Sequence, residues 1–299
     1  MPPTLIVIGG PTASGKTHAA STLAKYSGTE VISADSRQFY RSMRIGTARP
    51  TADELLGVKH HFLGHLQLEE TWSAGEFARQ AEPLLQDILA RSGTAVLVGG
   101  SGLYIDALCN GLDPLPASDP AVRQQLQERM DHEGLPALTE RLRGLDEATW
   151  ARIDRNNPHR VVRALEICLV SGNAASAQRT GPKQRTDLRI VRIAMDLPRG
   201  ELYARIDART HRMMAEGLVD EARALLPFRH LNALNTVGYK ELFAHFDGAL
   251  TLEQATKRIQ QHTRNYAKRQ LTWLRRDTSW TWIAPGDEEG MVTAALRGT

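Results

Sequence analysis

The hydrophobic positions of the chain fall into short apolar runs that are separated by longer amphipathic stretches. Four runs predict buried strands: "TLIVIGG" (4–10), "TEVISADS" (29–36), "GTAVLVGGSGLY" (93–104) and "DLRIVRIAMDLP" (187–198). Residues 71–93 instead carry apolar side chains at helical spacing, with Ser73 placed to cap the start and Gly93 after the end. Strands that alternate with helices favour an α/β fold with a parallel sheet.

This pattern changes at "GLDPLPASDP" (111–120), where prolines cluster and mark a domain boundary. From there to about residue 155 the chain shows short helical patterns and no strand pattern. A further helix is predicted over 157–172, with Asn157 as its cap. We therefore predict a core formed by residues 1–112 and 156–299, interrupted by a small all-helical insertion at 113–155.

The first predicted strand runs into a glycine-rich loop, "GGPTASGKTH" (9–18). Gly10, Gly15, Lys16 and Thr17 match the phosphate-binding loop at its four fixed positions, between a strand and a helix. The glycines let backbone N–H groups point at phosphate oxygens, the lysine supplies a cation and the threonine hydroxyl can hold Mg²⁺. The fold class predicted is therefore a P-loop NTPase-like parallel sheet flanked by helices.

The loop alone would favour ATP or GTP, but its surroundings give that interpretation little support. No guanine-recognition motif occurs, and the apolar run "AVLV" (95–98) ends in glycines rather than in an acidic metal ligand. A P-loop small-molecule kinase that uses ATP remains the alternative hypothesis. Asp35, at the end of a predicted strand, can bind metal, accept a proton or cap the next helix.

Other candidate residues are ambiguous from spacing alone. Arg205 and Arg209 lie one helical turn apart and can reach phosphate or pair with nearby carboxylates. His60, His61 and His65 lack the cysteines or acids that usually complete a zinc site, so we expect them to be structural or to stack on nucleic acid.

A run of like charges can be an ordinary solvated face or the binding surface for a polyanionic partner. Net charge is +3 and the pI is about 8.9, but residues 257–276 contain seven Lys or Arg and no acid. Tyr266 and Trp273 in that stretch can stack on bases or pack in the core. The two cysteines, Cys109 and Cys168, lie in apolar settings and are expected to be reduced. No apolar run is long enough to span a bilayer, so we expect a cytoplasmic protein without membrane attachment.

Taken together, several stretches resemble the tRNA dimethylallyltransferases, also called tRNA isopentenyltransferases. They are "GPTASGKT" (10–17), "ISADSRQFYRSMRIGTARP" (32–50), "HHFLG" (60–64), "VGGSGLY" (98–104), "NPHRVVRALEI" (157–167), "NTVGYKEL" (235–242) and "RNYAKRQLTWLRR" (264–276). The family transfers a dimethylallyl group from its diphosphate to N6 of the adenine 3′ of the anticodon, at tRNA position 37. In this family no phosphoryl group moves, because the loop holds the diphosphate that leaves.

The resemblance implies catalytic roles for four residues. Asp35 matches the general base, and Thr17 matches the hydroxyl that contacts Mg²⁺ through the diphosphate. Arg205 matches the diphosphate-binding arginine, and Lys16 is the lysine of the phosphate-binding loop. The positions implied to bind the diphosphate are Gly10, Pro11, Thr12, Ala13, Ser14, Gly15, Lys16 and Thr17. Mg²⁺ is the expected cofactor, and dimethylallyl diphosphate the expected small substrate.

The second substrate implied is the anticodon stem-loop of tRNA. The positions that match family tRNA contacts are Asp35, Ser36, Arg37, Gln38, Ser101, Arg123, His159, Arg160, Val161, Val162, Arg163, Asn235, Thr236, Val237, Gly238, Tyr239 and Lys240. Ser101 departs from the threonine usual in the family but keeps the hydroxyl. No Cys/His zinc finger follows the basic stretch, so the chain resembles the shorter bacterial form, which we expect to act as a monomer.

Overall fold

The structure is a computed structural model that describes residues 2–113, 115–179, 181 and 185–296, and it divides into two compact units. One unit comprises Met1–Cys109 together with Arg185–Thr299, and the other comprises Asn110–Gln184. We call them the sheet unit and the helical unit. Each unit has a hydrophobic core of its own.

The described part of the sheet unit contains six strands, which are all parallel and follow the order β3-β2-β4-β1-β5-β6. The strands are β1 (Thr4–Gly9), β2 (Val31–Ser33), β3 (His60–His61), β4 (Thr94–Gly99), β5 (Arg189–Met195) and β6 (Thr281–Ile283). The four predicted strands are confirmed as β1, β2, β4 and β5. The short edge strands β3 and β6 were missed.

Helices surround the sheet and build the helical unit. In chain order they are α1 (Lys16–Tyr26), α2 (Ala74–Ser92), α3 (Gly102–Asn110), α4 (Pro120–Leu145), α5 (Glu147–Arg152), α6 (Pro158–Ser171), α7 (Ala175–Gln178), α8 (Arg199–Ala215), α9 (Leu218–Leu225), α10 (Tyr239–Phe246), α11 (Leu252–Leu274) and α12 (Glu288–Leu296). Within the described ranges, none of these helices has the length and apolar character needed to cross a membrane.

Both faces of the central strands are buried, which explains why they appear as continuous apolar runs. Leu5 and Val7 of β1 pack on one face, in the cluster that includes Leu85 of α2. Ile6 and Ile8 alternate to the other face, in the cluster that α1 and α12 cover. The parallel strands therefore bring their carboxyl ends, and the loops that follow, to a single edge of the sheet.

The helical unit extends beyond the predicted insertion of 113–155. Its core contains Leu126 and Leu142 of α4 together with Leu165 of α6, so α6 belongs with the insertion and not with the sheet. Asn157 caps α6 as predicted, because its side chain accepts a hydrogen bond from the N–H of Arg160. The amphipathic α6 buries its apolar face against α4, and this packing carries the boundary past residue 155.

Candidate active site

The loop after β1 curls around the amino-terminal end of α1. Ala13 and Gly15 have left-handed backbone, at φ 65° and φ 87°, and the Ser14 N–H donates to the Pro11 carbonyl at 3.3 Å. Gly15 is the cap residue of α1 and has no side chain that could satisfy the first-turn N–H groups. These groups and the positive end of the helix dipole are therefore suited to bind an anion.

A buried hydroxyl inside this loop supports the same conclusion. Ser14 is fully buried, and among the residues that the structure describes its Oγ has no hydrogen-bond partner. A Cβ on Gly10 would lie 2.5 Å from that oxygen, so only glycine leaves the space beside it open. Leaving a buried hydroxyl unpaired is costly, and a bound phosphate oxygen would satisfy it.

Two cations and a carboxylate converge beside the loop. Arg209 of α8 donates from Nη1 to Oγ1 of Thr12 at 2.9 Å. Burial lowers the pKa of Lys16 below its ordinary value, while the Asp35 carboxylate acts against this shift and Arg209 reinforces it. Burial also lowers the pKa of Arg209, and the carboxylates of Glu54 and Asp35 oppose that shift. The Asp35 carboxylate therefore interacts electrostatically with both cations of the phosphate-binding loop region.

One side chain of α11 ties this loop to the loop after β4. Gln270 is only 5% exposed; its Oε1 accepts the Thr12 N–H at 2.8 Å and its Nε2 donates to the Gly100 carbonyl at 2.9 Å. A Cβ on Gly100 would lie 2.0 Å from that Nε2, so a side chain there would displace the Gln270 amide. The Thr12 N–H is thus committed to Gln270, while the Thr12 hydroxyl receives Arg209.

The segment that carries Asp35 is fixed by serine hydroxyls. The Ser36 N–H donates to Ser101 Oγ at 3.1 Å, and the two serine hydroxyls lie 3.2 Å apart. Tyr266 lies one turn before Gln270 on α11. Burial raises the pKa of Tyr266, and Asp35 acts in the same direction, so this hydroxyl stays protonated at neutral pH. The α11 helix therefore holds the phosphate loop through Gln270, and its Tyr266 interacts electrostatically with Asp35.

A cavity of about 850 Å³ opens beside these groups. Its lining includes the polar side chains of Asp35 and Arg209 and the apolar side chains of Ile206, Met213 and Ile259. This volume lies in the range of small-molecule sites. One cavity therefore combines a proton acceptor, a guanidinium that is bonded to the phosphate loop, and apolar walls.

The sequence matches known enzymes along nearly all its length. The family model described as IPP transferase (IPPT) matches residues 38–277. A tRNA dimethylallyltransferase of Phocaeicola vulgatus is 43% identical over 288 residues, covering 96% of this chain and 96% of that protein. Another, from Cytophaga hutchinsonii, is 43% identical over 289 residues and covers 97% of this chain and 95% of that protein.

The chain belongs to the tRNA dimethylallyltransferase family. The solved tRNA isopentenylpyrophosphate transferase of Bacillus halodurans is 36% identical, with a TM-score of 0.72 over 99% of this chain and 95% of that one. A eukaryotic dimethylallyltransferase acting on tRNA superposes with a TM-score of 0.81 over 99% of this chain and 77% of that one. Because it is only 22% identical, it shows a shared fold and nothing further.

Most positions that the family resemblance assigns to tRNA in the sheet unit line the cavity. They are Asp35, Ser36, Arg37, Ser101, Asn235, Thr236, Val237, Gly238 and Lys240. Gln38 instead donates from Nε2 to the carbonyls of Thr47 and Ala48, at 3.2 and 3.1 Å. Tyr239 is fully buried. The side chains of Gln38 and Tyr239 therefore contact other parts of the protein, and the Tyr239 side chain is not accessible to tRNA.

The two arginines of α8 that spacing could not separate have different surroundings. Arg205, the predicted diphosphate-binding residue, is 42% exposed and donates to Glu201 at 2.6 Å. Its Nη1 lies 3.9 Å from the place where a Cβ on Gly15 would stand. Arg209 is directly bonded to the phosphate loop through Thr12. The geometry therefore makes Arg209 the better placed of the two to meet a bound diphosphate.

In the helical unit, the predicted tRNA residues fall into two groups. His159 and Arg160 are exposed and Val162 is half-buried, whereas Val161 is fully buried. Arg123 and Arg163 donate to the fully buried carboxylate of Glu166. Arg123 donates from Nε to Oε1 at 2.9 Å and from Nη2 to Oε2 at 3.2 Å, and Arg163 donates from Nη1 to Oε2 at 2.6 Å. The two arginines therefore neutralise a buried charge within this unit.

The three histidines are held by protein partners. The Nε2 of His60 lies 3.3 Å from Ser21 Oγ, and that of His61 lies 2.6 Å from Glu30 Oε2. His65 packs edge-on against Trp72, with ring centroids 4.5 Å apart. Among the described residues, no group of three or more His, Cys, Asp or Glu side chains is arranged to hold a metal ion.

Sequence reasoning missed Gln270 altogether. A glutamine inside a basic amphipathic helix is expected to face solvent. Its partners Thr12 and Gly100 are far away along the chain. The only available signal was its position four residues after Tyr266, on the same helix face.

Proposed function

We propose that this protein modifies tRNA by transferring the dimethylallyl group of dimethylallyl diphosphate to N6 of the adenine at position 37. The products are N6-dimethylallyladenosine and diphosphate. The observation that supports this most strongly is the cavity that Asp35 and Arg209 line together, because Arg209 is also bonded to the phosphate loop. A proton acceptor for the nucleophile and cations for the leaving group thus serve one reaction space.

The phosphate loop accounts for the leaving group. When the bond between allylic C1 and the diphosphate oxygen breaks, the electron pair moves to the diphosphate, whose negative charge grows. Lys16, Arg209 and the first-turn N–H groups of α1 stabilise that charge where it develops. Partial burial of the two cations strengthens this effect, because less water screens them.

Mg²⁺ is the cofactor that fits this donor set. Mg²⁺ is usually held by one or two protein oxygens together with substrate phosphates, rather than by an all-protein cage. Thr17 offers a hydroxyl in the first turn of α1, and the described chain has no cluster of ligands that would hold the ion alone. When bound, the ion would neutralise charge on the diphosphate.

Asp35 is the base that takes a proton from the nucleophile. The lone pair of adenine N6 forms the new bond to C1, and an amine proton passes to the Asp35 carboxylate and from there to solvent. Ser101 holds the segment beside that carboxylate in place, because its hydroxyl accepts the Ser36 N–H. A base within the anticodon loop must turn out of its stack to reach the cavity.

Nucleoside analysis tests this function directly. The protein is incubated with dimethylallyl diphosphate, Mg²⁺ and an unmodified tRNA carrying adenines at positions 36 to 38, and the digested nucleosides are analysed by mass. We expect dimethylallyladenosine only when all three components are present. ATP consumption without tRNA, and no prenylated nucleoside, would instead establish the small-molecule kinase.

A further inference from the structure

A carboxylate outside the catalytic groups is seated on three successive backbone N–H groups. Glu221 of α9 accepts from Arg44 and Ile45 through Oε2, at 3.0 and 2.8 Å, and from Gly46 through Oε1 at 2.8 Å. Consecutive N–H groups that point into one concavity form an anion-binding nest. The carboxylate therefore fixes the path of residues 44–46.

The same carboxylate receives a buried tyrosine. Tyr239 donates its hydroxyl to Glu221 Oε1 at 2.6 Å and is fully buried. Burial raises the pKa of Tyr239, and the Glu221 carboxylate acts in the same direction, so the hydroxyl remains a donor. A Cβ on Gly46 would lie 2.5 Å from the Tyr239 ring, so the loop meets the ring closely and requires glycine there.

These contacts join two segments of the cavity wall. Gly46, Thr47 and Ala48 line the cavity on one side, and residues 235–238 with Lys240 line it on another. The carbonyls of Thr47 and Ala48 in turn receive the Gln38 side chain, three residues after Asp35. Glu221 itself does not line the cavity, so it influences the site only through these segments.

We propose that Glu221 is a positioning residue for the adenine of tRNA that accepts the dimethylallyl group. Glu221 does this by setting the distance between the loop 44–48 and the segment 235–240. This inference rests on the proposed function, because both segments contain or adjoin positions implied to contact tRNA. The phosphate loop is held separately by Gln270 and Arg209. Loss of Glu221 should therefore weaken the use of tRNA and leave the use of diphosphate intact.

The variant Glu221→Gln tests this inference with little change in side-chain volume. It removes the negative charge, and its amide N–H₂ would face backbone N–H donors that it cannot satisfy. We expect kcat/KM for tRNA to fall about tenfold or more, the order that follows from losing a hydrogen bond to a charged acceptor. KM for dimethylallyl diphosphate should stay within about twofold of the parent value, and so should the Kd of inorganic diphosphate with Mg²⁺. The reason is that Gln270 and Arg209 hold the phosphate loop independently of Glu221. Tyr239→Phe should give a smaller loss of the same kind.

Two controls separate positioning from general damage. Glu216→Gln changes an exposed glutamate just before α9, and Tyr26→Phe changes an exposed tyrosine on α1; both should behave as the parent. Hydrogen exchange provides a readout independent of activity: amides of 44–46 should exchange faster in Glu221→Gln than in Glu216→Gln.

Several results would overturn the inference. An unchanged kcat/KM for tRNA, an equal loss for both substrates, or unchanged exchange at 44–46 would each show that Glu221 does not position the acceptor. Failure of the proposed function would appear differently, as absence of prenylated nucleoside with the unsubstituted protein.

Discussion

The sheet unit and the helical unit both contain arginines that the sequence offers as substrate contacts, but the partners of these arginines differ. In the sheet unit, Arg209 donates to a neutral hydroxyl of the phosphate loop. In the helical unit, Arg123 and Arg163 donate to the buried carboxylate of Glu166. A guanidinium that donates to a neutral hydroxyl has a positive charge that its partner does not neutralise, so it can bind an anionic ligand. Two guanidinium groups that donate to one buried carboxylate instead stabilise the helical unit itself. The partner therefore separates a binding cation from a structural one.

The largest effect that would sharpen this comparison is expected at Arg209. Arg209→Ala should lower kcat/KM for dimethylallyl diphosphate by about 10²-fold, the loss typical of removing one group that stabilises developing charge. Arg205→Ala should cost less, because Arg205 is exposed and paired with Glu201. Steady-state kinetics with the diphosphate varied decide between them. A greater loss in Arg205→Ala would restore Arg205 as the principal diphosphate ligand.

The helical unit should respond in stability. Glu166→Gln leaves Arg123 and Arg163 without their carboxylate, and we expect a loss of about 1–3 kcal/mol in the free energy of unfolding, reduced because the arginines are partly exposed. Urea unfolding followed by circular dichroism measures it, with the exposed Glu140→Gln as the matched control. Equal stability in both variants would mean that the pair carries no structural energy.

The same carboxylate predicts a pH dependence. Burial raises the pKa of Glu166, but hydrogen bonds from Arg163, Arg123 and Ser118 outweigh burial and hold it below the ordinary value of 4.5. A lowered folded pKa contributes stability that is complete above that ordinary value and is lost as pH falls through the folded value. Unfolding free energies measured from pH 6 downward should therefore decline less in Glu166→Gln than in the parent. Parallel declines would contradict this account.

The smallest effect is expected in the basic stretch 257–276, which contains the Lys and Arg residues of α11 and the two arginines after it. Lys268 and Arg276 are exposed, so Lys268→Gln with Arg276→Gln should reduce the slope of log Kd for tRNA against log salt by about 0.7–0.9 per lost phosphate contact. Lys25→Gln, at the exposed end of α1, is the control. An unchanged slope in the double variant would make these side chains ordinary solvated charges.

The sheet was predictable because buried parallel strands leave a strong local signal. β1 and β4 are apolar runs of six residues with glycines at their ends, whereas β3 and β6 span only two and three residues. The limit of the insertion was less predictable. The apolar face of α6 fits either a sheet or another helix, and only its packing against α4 decides between them.

The candidate site was predictable where a local motif carries the chemistry, as in the loop from Gly10 to Thr17. The supporting contacts were not, because they join positions remote in sequence: Gln270 with Thr12, and Glu221 with Gly46. Arg205 and Arg209 share one helix face by spacing, and only the tertiary structure shows that Arg209 is bonded to the loop whereas Arg205 is paired with Glu201. Sequence motifs thus identify the residues that carry out the reaction, while long-range hydrogen bonds determine how those residues are positioned.

Whether Asp35 takes the proton from the nucleophile while the loop holds the leaving group is measured in a single turnover. Asp35→Asn is mixed with saturating dimethylallyl diphosphate, Mg²⁺ and tRNA, and prenylated adenosine is followed over time. We predict a chemical step slower by about 10²-fold or more, with the Kd for tRNA nearly unchanged. A chemical step at the parental rate, or a loss confined to tRNA binding, would contradict the account.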